Sequence, residues 1–333
     1  MKRTTTPDSA RPLLVDLHTD ALYEHIRGRK DVTQRSDQGH LDFPRMKEGG
    51  VNGQVFALWV SPTEFKPGEY FGFALKGAET FDEVCARCAE SVAPARTPDE
   101  FRQAVAAGRV AAVLGVEGGH ALEGKLENLD RLFERGVRVL TVTWCNSNEL
   151  GDSGGDENKP HHGLSPLGRQ AVRRMNELGM VVDVSHSADK TVFDIIDTSS
   201  SPVIASHSGV RARRDFNRNL TDEQIRAIAA NGGVIGIVFL PYFLREPEEK
   251  ATIDDVLDCI DHIVQLVGPD HVAYGSDFDG FGGALKGLED VAKMPALGTG
   301  LRRRGYSETD VAKVAGLNFL RVWDAVYARA SAK

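Results

Sequence analysis

Short runs of apolar residues recur along the whole chain and are separated by more polar segments. Most of these runs are rich in valine, isoleucine or leucine and show no strict alternation with polar residues. An uninterrupted apolar run of this length is typical of a strand that is covered on both faces, as in a parallel sheet. The pattern therefore predicts eight buried strands, at residues 13–18, 53–60, 110–118, 137–145, 180–186, 202–208, 233–239 and 271–277.

The segments between these runs contain signals for the start and the end of helices. Thr97 stands before a Pro-Asp-Glu sequence that favours a helix start, and Gly108 is placed to end that helix. A second helix is predicted between Ser165 and Gly179, because its apolar residues fall on one face. The same start signal recurs at Thr221, Thr252 and Ser307.

Strand and helix thus alternate eight times, which favours a closed (β/α)8 TIM-type barrel of the α/β class. An open doubly wound sheet would need a glycine-rich turn after the first strand, where the chain has Thr-Asp-Ala instead. We expect one domain over residues 1–333, with a short N-terminal tail at 1–12. The irregular segments 62–80 and 146–164 are predicted to be loops at the carboxyl-terminal rim of the barrel, where active sites form.

Composition and charge narrow the class of protein. The chain has 333 residues, of which 41% are hydrophobic, and its 40 basic and 48 acidic residues give a net charge of −8. An acidic chain repels polyanions, so no nucleic-acid partner is expected. The four cysteines are irregularly spaced and do not suggest a disulfide framework. Since neither an apolar leader nor a long apolar stretch is found, we expect a cytoplasmic protein without membrane attachment.

Side chains that can bind metal ions lie at the carboxyl-terminal ends of five of the predicted strands. Because the carboxyl ends of barrel strands converge on the barrel axis, these side chains are expected to meet in one small volume. The set contains three imidazoles and three carboxylates: His18, Asp20, Glu117, His186, His207 and Asp277.

Three carboxylates buried together need a counter-charge, since burying like charges costs several kcal/mol unless they are protonated, paired or bound to metal. Two divalent cations with a bridging hydroxide balance the three negative charges. Mixed nitrogen and oxygen ligands suit Zn²⁺ best, with Mn²⁺, Co²⁺ or Fe²⁺ as substitutes. The sequence therefore predicts a dinuclear metal centre, although any one of these residues alone would more often be a cap or an ion-pair partner.

With these residues, the chain resembles the renal (membrane) dipeptidase family of zinc peptidases, peptidase family M19. This family is part of the metal-dependent amidohydrolase superfamily. The resemblance covers most of the chain. It depends on DLHTD at 16–20, GVEGG at 115–119, the segment 163–186 that ends in DVSH, SHS at 206–208, RNL at 218–220, GSDFDG at 275–280 and GLNFLRV at 316–322.

The resemblance implies a role for each matching residue. His18 and Asp20 match ligands of one zinc, His186 and His207 match ligands of the other, and Glu117 matches the carboxylate that bridges the two ions. Asp277 matches the acid that handles the proton of the bridging hydroxide.

Arg218 matches the family arginine that binds the terminal carboxylate of the substrate. A guanidinium presents two parallel donors to a carboxylate, so the chemistry agrees with that role. The alternative is a solvated side chain, because the same segment also contains Arg211, Arg213 and Arg214.

Trp144 stands where dipeptidases of this family have a substrate-contacting histidine at the end of the fourth strand. An indole offers one N–H donor and no titratable group, and losing one donor to the developing oxyanion can lower turnover by roughly 10² to 10³. The indole itself or Asn146 is the favoured replacement donor, because residues near strand ends are better positioned than those on a long loop. His161 and His162 are the alternative.

The leading hypothesis is a dinuclear zinc dipeptidase that hydrolyses small dipeptides, with tolerance for a D-residue on the C-terminal side implied by the resemblance. A second hypothesis keeps the metals but changes the substrate to an N-acyl amino acid, a lactone or a cyclic amide. A noncatalytic metal-binding barrel is the remote third, since Asp277 would then have no purpose. The resemblance also implies a homodimer.

Overall fold

Parallel strands close into a barrel in the computed structural model, which describes residues 13–331. The eight predicted strands are all present, and the pairing of β2 with β4 and of β9 with β1 closes the ring. The strands are β1 (Val15–Thr19), β2 (Gly53–Trp59), β3 (Val92–Pro94), β4 (Val110–Glu117), β5 (Val137–Thr141), β6 (Val181–Asp183), β7 (Ile204–Ser208), β8 (Val234–Ile237) and β9 (Val272–Tyr274). The prediction of a (β/α)8 barrel is confirmed, while the predicted tail 1–12 lies outside the described residues.

The short strand β3 was not predicted. It pairs in parallel with the first residues of β4, from Val92 opposite Val110 to Pro94 opposite Ala112. Further along, β5 pairs with β4 from Leu114 onward. Three residues that end in proline are too few to produce a recognisable apolar run, and so the sequence pattern did not reveal this strand.

Helices surround the barrel and connect successive strands. Their bounds are α1 (Ala21–Ile26), α2 (Phe43–Gly49), α3 (Tyr70–Arg87), α4 (Pro98–Ala106), α5 (Leu126–Glu134), α6 (Pro166–Leu178), α7 (Asp189–Thr198), α8 (Asp222–Ala230), α9 (Pro241–Leu244), α10 (Ile253–Val267), α11 (Pro295–Arg303), α12 (Glu308–Ala312) and α13 (Asn318–Ser331). A π-helical turn, Lys313–Leu317, joins α12 to α13.

The predicted helix ends agree with the observed caps. Ser165 accepts a hydrogen bond from the backbone N–H of Gly168 at the start of α6, and Gly179 ends the same helix in the left-handed conformation at φ 77°. Thr221 and Gln224 form a reciprocal capping box at the start of α8.

The expectation of an irregular segment over 62–80 was wrong for its second half, because α3 begins at Tyr70. Phe71, Ala74, Ala78 and Phe81 form the buried face of this helix, with the spacing of three to four residues that a helix requires. The segment 146–164 contains no helix or strand, as predicted.

The helix α13 covers the amino-terminal end of the barrel. Phe319 and Trp323 are fully buried and belong to one apolar cluster with strand residues such as Val15 and Ile204. Asn318 donates hydrogen bonds to backbone carbonyl oxygens just before and within β9. The opposite, carboxyl-terminal end of the barrel is therefore the end that is left for a site.

Candidate metal centre

The six residues selected from the strand ends come together at the carboxyl-terminal end of the barrel. The Nε2 atom of His18 lies 3.8 Å from Asp20 Oδ2, 3.7 Å from Glu117 Oε2 and 3.9 Å from Asp277 Oδ1. All four side chains are buried or nearly so. Residues that are up to 259 positions apart thus surround one imidazole nitrogen.

Glu117 lies between this group and a second pair of imidazoles. Its Oε1 atom is 2.8 Å from His186 Nε2 and 3.4 Å from His207 Nε2, and the two imidazole nitrogens are 2.9 Å apart. One carboxylate oxygen therefore faces His18 while the other faces His186 and His207. This is the arrangement that a carboxylate shared by two cations needs.

The donor atoms fit divalent cations. Ligand atoms of His18, Glu117 and His207 lie within 4.8 Å of one another, and so do those of His18, Asp20 and Asp277. His18 Nε2 and Asp20 Oδ1 are buried without a hydrogen-bond partner among the described residues. Buried polar atoms normally have partners, so these two are available to a ligand. Imidazole nitrogen together with carboxylate oxygen is the donor set of zinc and of neighbouring transition metals.

Electrostatics of the metal-free site also favour a cation. Burial lowers the pKa of His18, but the charges of Glu117, Asp20 and Asp277 outweigh burial and raise this pKa to about 10. Burial raises the pKa of Asp277 well above its ordinary value, and the charges of Asp20 and Glu117 add to the rise. Both shifts favour the protonated forms of His18 and Asp277 in the absence of metal, and bound cations would supply the positive charge instead.

Two of the six residues have a strained backbone. His186 and Asp277 have φ values of 68° and 62°, in the left-handed region that non-glycine residues rarely adopt. Backbone hydrogen bonds hold both residues: Gly154 N–H donates to His186 O at 2.7 Å, and Asp277 N–H donates to His18 O at 3.2 Å. Strain of this kind is concentrated at functional sites, where the surroundings fix an unfavourable conformation.

A cavity of about 610 Å³ opens above these residues. Arg218 lines it and is buried, with its Nη2 atom 3.3 Å from His207 Nε2 and its guanidinium 5.4 Å from the ring centroid of Phe243. The alternative of a solvated Arg218 is therefore contradicted. Asp20, Glu117, His186 and Asp277 lie at the same cavity surface.

Trp144 also lines the cavity, and its ring packs 4.9 Å from that of Trp59. The side chain of Asn146 donates to Ser147 O at 3.3 Å, and Asn146 is not among the residues that line the cavity. His161 is turned away, since its Nε2 atom contacts Asn148 O at 2.8 Å. His162 is exposed and borders a neighbouring cavity. Of the four candidate donors, only the indole of Trp144 faces the site.

Sequence reasoning missed two residues at the cavity. Trp59 is the last residue of β2, and Cys145 follows Trp144, with its Sγ atom 3.6 Å from His186 Nδ1. Trp59 and Cys145 also lie at the carboxyl-terminal ends of predicted strands, which is the signal that identified the charged residues of the site. The prediction considered only charged side chains and imidazoles at strand ends, and so it did not include the aromatic wall that Trp59 and Trp144 form at the cavity.

A buried ion pair beside the site was also missed. Lys30 Nζ lies 2.6 Å from Asp279 Oδ2, and both side chains are almost fully buried. The backbone N–H of Asp279 donates to His40 Nδ1 at 3.0 Å. These contacts hold the segment that follows Asp277, and the spacing of His40 along the chain did not indicate this role.

Within residues 13–331, no helix combines the length and the apolar character that crossing a membrane requires.

Comparison with known proteins finds relatives that are described as dipeptidases. A family model described as membrane dipeptidase (peptidase family M19) matches residues 9–333. Dipeptidase tcpJ from Claviceps purpurea (strain 20.1) is 37% identical over 295 residues, which cover 85% of this chain and 68% of that protein.

Solved structures with the same fold include the probable dipeptidase PvdM from Pseudomonas aeruginosa, at 28% identity and a TM-score of 0.88 over 96% of both chains. A metallo peptidase from Rhodobacter sphaeroides, liganded with a phosphinate mimic of the dipeptide L-Ala-D-Ala, is 29% identical with a TM-score of 0.88. That similarity covers 95% of this chain and 100% of the other.

Proposed function

Since the chain belongs to the membrane dipeptidase family, peptidase family M19, and is therefore a metal-dependent peptide-bond hydrolase, we propose that it cleaves small dipeptides with two zinc ions at the described site. The observation that carries this proposal is the position of Glu117, whose two oxygens face different groups of buried ligands. A single bound ion would use only one of these groups.

In this proposal, His18 and Asp20 would hold one zinc ion, His186 and His207 would hold the other, and Glu117 would contact both. When bound, two such ions supply positive charge that lowers the pKa of a shared water toward about 7 and polarises the scissile carbonyl. The unpartnered Nε2 atom of His18 and Oδ1 atom of Asp20 support this assignment.

Arg218 orients the substrate by pairing its guanidinium with the terminal carboxylate of the dipeptide. Its burial against Phe243 supports this role, because a desolvated guanidinium needs an anionic partner. The carboxylates of Asp20 and Asp277 line the same cavity and complement the free amino group of the substrate, whereas Asp279 is already paired with Lys30. A substrate with both termini free, and short enough to reach both, fits this charge pattern.

Asp277 moves the proton during cleavage. Its carboxylate accepts the proton of the attacking water and delivers it to the leaving amine. Asp277 Oδ1 faces the ligand cluster at 3.9 Å from His18 Nε2, while the side chain remains 14% exposed to the cavity. It therefore lies between the ligand cluster and the cavity that would take the substrate.

The stereochemistry of the C-terminal residue is part of the proposal. The Rhodobacter sphaeroides relative is liganded with a mimic of L-Ala-D-Ala, and the family resemblance implies the same tolerance here. We propose that both L-Xaa-L-Xaa and L-Xaa-D-Xaa dipeptides are cleaved.

The experiment that tests the proposal combines metal analysis with a screen of both series of dipeptides, using zinc-reconstituted and chelator-treated protein. We expect about two zinc ions per chain and cleavage that the chelator abolishes. Two metals without dipeptide cleavage would direct the search to other acyl substrates, and the absence of bound metal would refute the mechanism.

The variant Asp277→Asn separates proton transfer from metal binding. We expect kcat to fall by roughly 10² to 10⁴, because general acid–base catalysis contributes about that much, while the zinc content stays at the wild-type value. A variant that keeps its kcat would exclude Asp277 as the proton carrier. Loss of zinc together with activity would instead make Asp277 a ligand.

A further inference from the structure

A fully buried carboxylate, Asp183, lies beneath the imidazoles at the end of β6. Its Oδ2 atom accepts hydrogen bonds from Ser206 Oγ and from Thr141 Oγ1, each at 2.6 Å. Its Oδ1 atom accepts from the backbone N–H groups of Ser185 at 3.0 Å and of Ser206 at 2.9 Å. Asp183 forms no ion pair within the described part of the chain, so four neutral donors solvate its charge.

Ser206 connects this carboxylate to an imidazole. The Oγ atom of Ser206 lies 2.8 Å from His207 Nδ1. A serine hydroxyl has one proton, and Asp183 takes it because an ionised carboxylate can only accept. Ser206 Oγ is then the acceptor for His207, so the proton of the neutral imidazole must be on Nδ1.

The second ring nitrogen of His207, Nε2, has a contact that agrees with the Nδ1–H tautomer. Arg218 Nη2 lies 3.3 Å from His207 Nε2. A guanidinium can only donate, so this contact is a hydrogen bond if Nε2 carries a lone pair and no proton. His186 Nε2 at 2.9 Å and Glu117 Oε1 at 3.4 Å also lie beside this nitrogen. The tautomer is therefore assigned from the shorter Ser206 contact of Nδ1, and the donor from Arg218 agrees with it.

We propose that Ser206 and Asp183 are positioning residues that fix His207 in the Nδ1–H tautomer and aim its Nε2 lone pair at the metal. The inference rests on the proposed ligation of zinc by His207. Metal-binding histidines commonly donate their second ring N–H to a carboxylate, and this orients the ring and strengthens the ligand. Here a serine hydroxyl stands between the imidazole and the carboxylate.

The same hydroxyl lies near a histidine of the other ligand group. Ser206 Oγ is 3.4 Å from His18 Nδ1, and the rings of His18 and His207 are 3.8 Å apart between centroids. One buried hydroxyl thus lies beside the Nδ1 atoms of imidazoles from both groups. Removal of Ser206 Oγ is therefore expected to weaken zinc binding at both positions. The loss should be larger for the zinc ion proposed at His207, because the contact of Ser206 with His207 is shorter than its contact with His18.

The chain offers a matched control for Ser206. Ser276 is also fully buried, it also precedes a proposed site residue, and its Oγ atom also donates to a buried aspartate, Asp16, at 2.6 Å. Its other contacts are to backbone groups, a 3.1 Å bond to His18 O and a 3.0 Å bond from Phe278 N–H. Ser276→Ala therefore removes an equivalent hydroxyl without removing an imidazole contact.

The first measurement is zinc affinity, determined by competition with a chromophoric chelator on the full chain. We expect Ser206→Ala to weaken zinc binding by about 10- to 100-fold, which is the usual effect of removing an outer hydrogen-bond partner of a ligand. Ser276→Ala should stay within about threefold of the wild type. Equal losses in both variants, or no loss in either, would overturn the proposal.

The second measurement reads the tautomer directly and needs no variant to fold. Long-range ¹H–¹⁵N spectra of the metal-free wild-type chain should show His207 neutral with its proton on Nδ1. A proton on Nε2 would overturn the proposal even if Ser206→Ala cannot be purified.

The two measurements also distinguish the two proposals. A wild-type chain that binds no zinc would refute the proposed function, and the tautomer would still test the link from Asp183 to His207. Wild-type zinc affinity in Ser206→Ala would refute the link and leave the proposed function standing.

Discussion

Glu117 is the residue on which the geometry of the site depends. It is the last residue of β4, it is buried, and its two oxygens face His18 on one side and His186 on the other. A carboxylate in this position can contact a cation on each side, whereas a shorter side chain would reach only one group. The side chain of Glu117, placed at the end of β4, therefore brings the two ligand groups together.

Trp144 is the residue at which the chain departs from the dipeptidases that it resembles. Because its indole faces the cavity and is held against Trp59, we predict that its N–H replaces the missing histidine as a donor to the developing oxyanion. Trp144→Phe keeps an aromatic wall but removes this donor. We expect kcat to fall by roughly 10², measured with a dipeptide that the wild type cleaves.

The competing donors are tested in the same assay. If Asn146→Ala or His161→Ala lowers kcat more than Trp144→Phe does, then that residue supplies the donor and the indole only lines the cavity. Zinc content measured in parallel shows whether the loss comes from the substrate step or from the metal.

At the scale of secondary-structure elements, the close approach of β7, β8 and β9 sets the position of the ligands. Gly275 follows β9 directly, and a Cβ atom there would overlap the carbonyl oxygen of Ser206 in β7. A Cβ at Gly236 in β8 would meet the same carbonyl. The two glycines thus allow the backbone that carries Ser206 and His207 to pack against its neighbours.

We predict that Gly275→Ala destabilises the protein by about 3 kcal/mol, at the upper end of the range for overpacking, because only backbone atoms could move to make room. It should also weaken zinc binding, since any shift of Ser206 moves His207. Chemical denaturation and chelator competition measure the two effects.

Gly282→Ala is the control for this substitution. No atom lies within 4 Å of a Cβ at Gly282, which is exposed on the segment after Asp277. The stability of this variant should remain within about 0.5 kcal/mol of the wild type. A Gly275→Ala protein as stable as this control would show that β7 and β9 can separate without cost.

At the scale of the whole molecule, binding of the metal is expected to contribute to the stability of the barrel. The proposed ligands are spread over positions 18 to 207 and meet only in the folded state, so a metal ion would bind the folded form in preference to the unfolded one. At a free zinc concentration about 100 times the dissociation constant, the stabilisation amounts to about 2.7 kcal/mol.

We therefore predict that a chelator lowers the midpoint of thermal unfolding and that added zinc restores it. Differential scanning calorimetry with and without the chelator measures this change. An unfolding midpoint that does not respond to zinc would mean that the five proposed ligands bind no metal in the folded protein.

The predicted homodimer is also a property of the whole molecule. It follows from the resemblance to family M19, in which barrels pair. Light scattering coupled to gel filtration should give a mass of twice that of the chain for the zinc-loaded protein. A single-chain mass at micromolar concentration would contradict this prediction. The cytoplasmic location and the single domain over residues 1–333 stay predictions as well.

The sequence by itself determined the barrel and the identity of the residues at its carboxyl-terminal end. Apolar runs and helix caps are local signals, since they depend on burial and backbone hydrogen bonding within one element. Parallel strands then have only one end at which His18, Glu117 and Asp277 can meet. For this reason the fold, the family and the set of candidate ligands could be predicted without coordinates.

The tertiary structure alone decided how these residues are arranged. Which way a side chain points depends on the closure of the barrel and on partners far away in the chain, and no local pattern contains that information. The two-sided position of Glu117, the indole of Trp144 at the cavity and the burial of Arg218 are of this kind. So is the link from Asp183 through Ser206 to His207, which joins β6 to β7 beneath the site.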